Sequence, residues 1–195
     1  YGTVERIDAK TGESKVLYKD CDGWDLSAPN DLVFDKTGGF WFTDLGKRYQ
    51  RNRDHGAIYY ARPDGSSIKR MAHPFLSPNG CGLSPDEKTL YVADMNARKT
   101  YGFDIQPDGS LTNRRLVANY GSDGMTLDNQ GNLYMSSGGV SVYSTKTGQL
   151  IGVIPVPEGP ANVAFGGPDH SMLYITARTG FYAIQTNVKG ENPGK

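Results

Sequence analysis

One phrase recurs four times along this chain. A strand opens on a side-chain amide or carboxylate, a tight turn follows, and a second strand is built around an aromatic residue. The copies run from Pro29-Asn30-Asp31-Leu32-Val33-Phe34-Asp35 to Phe40-Trp41-Phe42-Thr43-Asp44, and from Pro78-Asn79-Gly80-Cys81-Gly82-Leu83-Ser84 to Leu90-Tyr91-Val92-Ala93-Asp94. They continue from Ser122-Asp123-Gly124-Met125-Thr126-Leu127-Asp128 to Leu133-Tyr134-Met135-Ser136-Ser137, and from Ala161-Asn162-Val163-Ala164-Phe165 to Leu173-Tyr174-Ile175-Thr176. The central aromatics Trp41, Tyr91, Tyr134 and Tyr174 lie 50, 43 and 40 residues apart. Strand-built repeats at roughly 40–50 residues are the mark of a β-propeller, with one four-stranded sheet per blade.

Composition agrees with an all-β chain. Twenty-five Gly and 11 Pro punctuate the sequence, and no stretch keeps a 3.6-residue apolar period for three turns. The 21 basic and 21 acidic residues cancel, which argues against a nucleic-acid partner or an anionic membrane surface. No apolar run is long enough for a transmembrane span, and no signal-peptide core is visible; the compartment stays open. Cys21 and Cys81 read as two separate reduced, buried thiols.

Within the first complete blade, Asp31–Asp35 is the expected inner strand, Phe40–Asp44 the second, Gly56–Ala61 the third and Ser67–Ala72 the outer one. Turns such as Ser84–Lys88, Pro107-Asp108-Gly109 and Asp128–Gly131 carry the Asp, Asn, Pro and Gly that tight hairpins require. Gly2–Lys19 offers only two strands, Thr3–Ile7 and Ser14–Tyr18. Residues 1–195 therefore read as a single propeller domain of about four and a half blades, N-terminally incomplete.

The inner strand of each blade lines a central channel, so residues at its start converge on one mouth. Asn30, Asn79, Asp123 and Asn162 hold that place, each 11 or 12 residues ahead of its aromatic. The second strand returns Asp44 and Asp94 to the same mouth. Oxygen donors without a well-placed His or Cys suit a hard divalent cation. Asn79 and Asp123 are the expected metal ligands, and Asp123 the catalytic group. Asn30 is expected to contact substrate, and Asp44, Asp94 and Asn162 to form the rim or to support the ligands from behind. For any one of these residues the bland alternative is a turn former satisfying local backbone N–H groups. His55, His73 and His170 have no partner at ligand spacing, and no Gly-x-Ser-x-Gly elbow is present.

These phrases, together with Phe165-Gly166-Gly167-Pro168-Asp169, resemble the SMP-30/gluconolactonase family over nearly the whole chain. The resemblance implies a six-bladed propeller that holds one divalent cation at the channel mouth and hydrolyses sugar lactones or related cyclic esters. Calcium is the leading candidate, with Zn, Mg or Mn as alternatives. By position, Asn79 and Asp123 match the family's metal-binding Asn and Asp, and Asn30 a substrate- or metal-contacting Asn. The family's third metal ligand, a Glu in a Glu-Gly-Pro context early in the first blade, is not carried by the first residues here. Ala28 stands where some members have Arg. The competing expectation is a non-catalytic propeller of the strictosidine-synthase-like or NHL-like kind, binding small molecules or proteins. A chain inactive for want of the first-blade Glu is the other.

Overall fold

The computed structural model describes residues 2–191, in which every regular element is a strand. The first complete blade is β5 (Pro29–Phe34), β6 (Phe40–Asp44), β7 (Gly56–Ala61) and β8 (Ile68–Phe75). The second is β9 (Pro78–Leu83), β10 (Thr89–Asp94), β11 (Lys99–Ile105) and β12 (Leu111–Ala118). The third is β13 (Met125–Leu127), β14 (Asn132–Ser136), β15 (Val140–Ser144) and β16 (Leu150–Ile154). A three-stranded sheet follows, β17 (Pro160–Gly166), β18 (Met172–Ala177) and β19 (Gly180–Gln185). Ahead of all four lie the ladder of β1 (Val4–Ile7) with β2 (Ser14–Tyr18) and the short hairpin of β3 (Asp20–Cys21) with β4 (Trp24–Asp25). Every pairing is antiparallel between sequence neighbours, which is the propeller arrangement the repeat implies.

The turns hold their shape through buried carboxylates. Asp35 accepts from the N–H of Thr37 at 2.8 Å and of Gly39 at 3.1 Å, and from the Tyr60 hydroxyl at 2.8 Å. Asp128 repeats the device with Gln130, Asn132 and Tyr134. Gly38 and Gly131 supply the positive φ, 79° and 82°, that closes each hairpin.

The repeated aromatics join one blade to the next. Trp41 packs with Cys81, Leu83, Leu90, Val92 and Phe103 of the second blade. Tyr91 packs with Met125, Leu127, Leu133 and Met135 of the third, and Tyr134 with Val163, Leu173 and Ile175 of the fourth. Fully burying such a ring removes about 150–250 Å² from water, worth roughly 4–6 kcal/mol as an upper bound. The period of the sequence is therefore the period of the interblade core. Tyr174, in the fourth sheet, stacks instead on Phe181 of its own sheet at 5.7 Å.

Two expected bounds shift. The outer strand of the first blade runs on to Phe75, beyond the expected Ala72. Residues 122–124 precede β13, so Asp123 lies in the segment leading into the strand and not within it. The β3–β4 hairpin was not expected; it is two residues per strand, too short to show a period.

Candidate functional site

Ladder pairing sets which residues of the four inner strands are equivalent. Trp41 pairs Val33, Tyr91 pairs Gly82, Tyr134 pairs Thr126 and Tyr174 pairs Ala164. Counting back from these partners puts Asn30, Asn79, Asp123 and Ala161 in one rank at the mouth. Asp31, Gly80, Gly124 and Asn162 form the rank behind it. Asn162 is thus displaced one residue from its expected place. Tyr174 pairs the residue ten before it, against eight or nine in the other blades, so counting back from the aromatic lands one residue further along the inner strand.

The rear rank is held by hydroxyls of the second strands. Asp31 N–H donates to Thr43 Oγ1 at 3.2 Å, Gly124 N–H to Ser136 Oγ at 2.8 Å and Asn162 N–H to Thr176 Oγ1 at 3.1 Å. Thr43 also donates to the Asn79 carbonyl at 2.6 Å, and Ser136 to the Ala161 carbonyl at 2.8 Å, so each hydroxyl ties its own blade to the following one.

Residues 79–80 lie directly against residues 123–124. An added Cβ on Gly80 would sit 2.7 Å from the Asp123 carbonyl oxygen and 3.1 Å from the Gly124 carbonyl carbon. Asn79 is buried, and its Oδ1 has no hydrogen-bond partner among the described residues. A buried amide oxygen left without a donor costs about 1–3 kcal/mol, a deficit that a cation removes. Asp123, half-buried, brings a carboxylate to the same rank on the adjacent blade. An orphaned amide oxygen and a carboxylate, at equivalent positions of adjacent blades, are donors of the kind a hard divalent cation takes. Softer ligation is not on offer, since burial holds the Cys81 thiol protonated far above its ordinary pKa. No group of three His, Cys, Asp or Glu side chains gathers as a metal cluster among the described residues. Asn30, the first-blade member of the rank, is exposed at the rim.

Asp31 is the site residue that the sequence did not single out. Its carboxylate accepts from Cys81 N–H on the second blade and from Leu32 N–H, both at 3.0 Å, and hydrogen-bonds the Asn162 side chain of the fourth. Burial, opposed by these bonds and reinforced by the negative charge of Asp123, pushes its pKa up to about 6. Asn162 packs on Gly124, where an added Cβ would fall 2.2 Å from the Asn162 Cγ. Asp31 and Asn162 face a cavity of about 340 Å³ along the channel, whose wall includes Cys81, Thr126, Tyr174 and Thr176.

Asp44 and Asp94 are clasps, the backbone-binding alternative that the sequence left open for them. Asp44 accepts from the N–H groups of Ser27, Ala28 and Gly46, and Asp94 from those of Leu76, Ser77 and Ala97. Each ties the segment leading into the first strand to the loop leaving the second, and both are almost fully buried. A Glu158-Gly159-Pro160 word does occur, ahead of β17. The Glu158 carboxylate is taken by Thr179 N–H, Thr179 Oγ1 and the Tyr182 hydroxyl, bonds that lower its pKa and turn it from the rank at the mouth.

Comparison with known proteins agrees with this geometry. The sequence profile of the SMP-30/gluconolactonase/LRE-like region matches residues 2–179. A gluconolactonase of Zymomonas mobilis is 28% identical over 210 residues, covering 96% of this chain and 58% of its own length. The lactonase drp35 of Staphylococcus saprophyticus is 36% identical over 166 residues, 80% of this chain and 50% of its own. The chain thus spans about half the length of the curated relatives it matches. Among solved structures, the gluconolactonase XC5397 of Xanthomonas campestris superposes with a TM-score of 0.81 at 35% identity, covering 94% of this chain and 65% of that one.

Proposed function

Because this chain belongs to the SMP-30/gluconolactonase/LRE-like family, we propose that the protein hydrolyses sugar lactones or related cyclic esters with one divalent cation at the channel mouth. The observation that carries the reading is the buried, unpartnered Asn79 amide oxygen, in one rank with Asp123, which leads into the adjacent inner strand. The relatives named for gluconolactone or lactone hydrolysis supply the substrate class.

Asn79 and Asp123 would hold the cation, with Ca²⁺ the leading candidate; such oxygen donors also accept Mg²⁺ and Mn²⁺, and Zn²⁺ is the remaining alternative. Bound there, it supplies Lewis acidity toward the lactone carbonyl and toward water. Asp123 would accept the proton of the attacking water, a role that requires hydrogen-bond reach of that water. The neutral Asn79 amide holds its share of the site without cancelling positive charge that the developing oxyanion needs. Exposed Asn30 orients the sugar hydroxyls at the rim, and Ala28 leaves that side of the mouth without a cationic contact. Asp31 and Asn162 form the floor beneath, positioning the second and fourth inner strands relative to the first.

The test is Asp123→Ala, followed by calorimetric Ca²⁺ titration and by glucono-δ-lactone hydrolysis. Both cation binding and turnover should be lost together. Full turnover in that variant defeats the assignment. Normal folding with no cation binding even in the parent protein leaves the non-catalytic propeller standing.

A further inference from the structure

A second cavity lies off the channel axis, between the β3–β4 hairpin, the β6–β7 loop and strand β8. Its volume is about 740 Å³, room for a small organic molecule, and nothing in the proposed hydrolysis uses it. Trp24, Lys47, Arg53, His55, Arg70 and His73 all contribute to its wall.

The cationic side chains here lack the carboxylate partners they would normally find. Among the described residues, no carboxylate lies within ion-pair distance of Lys47, Arg53 or Arg70. Acidic residues share the wall, but two of the three are occupied. Asp44 is held by three backbone N–H groups, and Asp54 accepts from Ser27 Oγ at 2.5 Å and from the Tyr49 hydroxyl at 3.1 Å. The third, Asp25, is exposed on the hairpin, its backbone in register with Asp20. Arg53 turns its terminal nitrogens toward the Asn96 amide oxygen on the second blade, while its buried Nε finds no acceptor among the described residues. Arg70 lies 5.5 Å above the Trp24 ring, and the His55 and His73 rings meet edge-on at 6.3 Å. Burial, then the charges of Arg70 and His55, hold the His73 imidazole below its ordinary pKa.

We propose that this pocket binds a small organic anion through its oxyanion group, a phosphate monoester or a carboxylate. Arg53 and Arg70 are the charged donors, and the Trp24 face is the wall against which the rest of the ligand lies. Guanidinium groups suit this task, because their planar fork matches the oxygens of phosphate and carboxylate and they stack on aromatic faces.

Trp24 serves as the reporter: it is 64% exposed in the pocket wall, whereas the other tryptophan, Trp41, is 3% exposed between blades. Full-length protein is titrated with glucose 6-phosphate, with glucuronate and with neutral glucose, following tryptophan emission and heat. One of the two anions should give saturable binding at about millimolar Kd or tighter, and glucose none. Which anion binds more tightly assigns phosphate or carboxylate. Arg53→Gln with Arg70→Gln should weaken that binding about tenfold or more, since each removes a charge-assisted hydrogen bond. Should the double variant not fold, exposed Arg70→Gln alone should still weaken it severalfold. Asp123→Ala should leave it unchanged, which separates this pocket from the channel mouth. No saturable response to either anion up to about 10 mM overturns the proposal, as does unweakened binding in the arginine variants.

Discussion

Replacing Asp94 tests whether it serves the cation or the backbone. Its side chain is 2% exposed and accepts three backbone N–H groups, from Leu76, Ser77 and Ala97, each at 3.0 Å. Hydrogen bonds to a charged acceptor contribute roughly 1.5–3 kcal/mol each, and three would sum to about 4–9 kcal/mol if all donors stayed buried. Removing the carboxylate opens a space that water reaches, so Asp94→Ala should cost about 3–5 kcal/mol. For a chain of this length, 1 kcal/mol moves Tm by roughly 2–4 °C, so a loss near 4 kcal/mol lowers Tm by about 8–16 °C. Asp94→Asn should fall about halfway, because an amide can keep its oxygen toward Ser77 and Ala97 but must turn its NH₂ toward the Leu76 N–H. Urea unfolding and thermal scans measure the loss; calorimetry at 25 °C measures Ca²⁺ binding, which should hold. Were Asp94 instead a support for the ligands, Ca²⁺ affinity would drop about 10–100-fold with stability intact, and that outcome refutes the clasp.

Gly80→Ala places a Cβ 2.7 Å from the Asp123 carbonyl oxygen, so it should cost about 1–3 kcal/mol and weaken Ca²⁺ binding; calorimetric affinity equal to the parent's defeats the contact between the two ligand segments. In metal-free protein, folding raises the Asp31 pKa from its ordinary 3.8 to about 6. Its ionised form is therefore the penalised one, and its own contribution to stability is greatest below about pH 4, declining as pH rises to about 6 by at most roughly 3 kcal/mol. Asp31→Asn should remove that decline in chelator-treated urea melts; an unchanged pH profile contradicts the burial of this carboxylate. Cys21 and Cys81 are buried free thiols with raised pKa values, so neither should react with a thiol reagent at pH 8 until the chain unfolds. Rapid labelling of native Cys81 would contradict its packing.

Much of this was legible in the chain because the repeat is itself the packing unit. The aromatics that set the period are the side chains that bridge blades, and the expected bounds of β6 and β7 match the structure residue for residue. Turn chemistry was equally plain where Asp and Gly sit at the offsets a hairpin demands, as at Asp35-Lys36-Thr37-Gly38. Register was less plain. Asn162 looked equivalent to Asn79 only because spacing was counted from the aromatic, and Tyr174 pairs a residue ten positions back where Tyr91 pairs one nine back. Asp31 went unmarked because nothing local distinguishes it from Asn30; its burial and its pKa depend on Cys81 and Asn162, which lie 50 and 131 residues further along. The clasping role of Asp44 and Asp94 likewise depends on N–H groups from the preceding connection, whose path follows no period. The off-axis pocket joins Trp24 of β4, Arg53 of the β6–β7 connection and Arg70 of β8, a meeting that no single stretch announces.

Two of the four positions behind the mouth carry no side chain at all, and their neighbours have grown into the vacated room: Asn162 leans into Gly124, and Asp123 closes over Gly80. A survey that trims residues one at a time would report both glycines as featureless, because there is nothing to trim. Only libraries that add atoms will find them. There, even a single methyl at 80 or 124 is expected to be tolerated worse than most substitutions on the outer strands. Variation among relatives should accordingly gather at the rim, where the substrate is read, while the blank positions behind it stay blank.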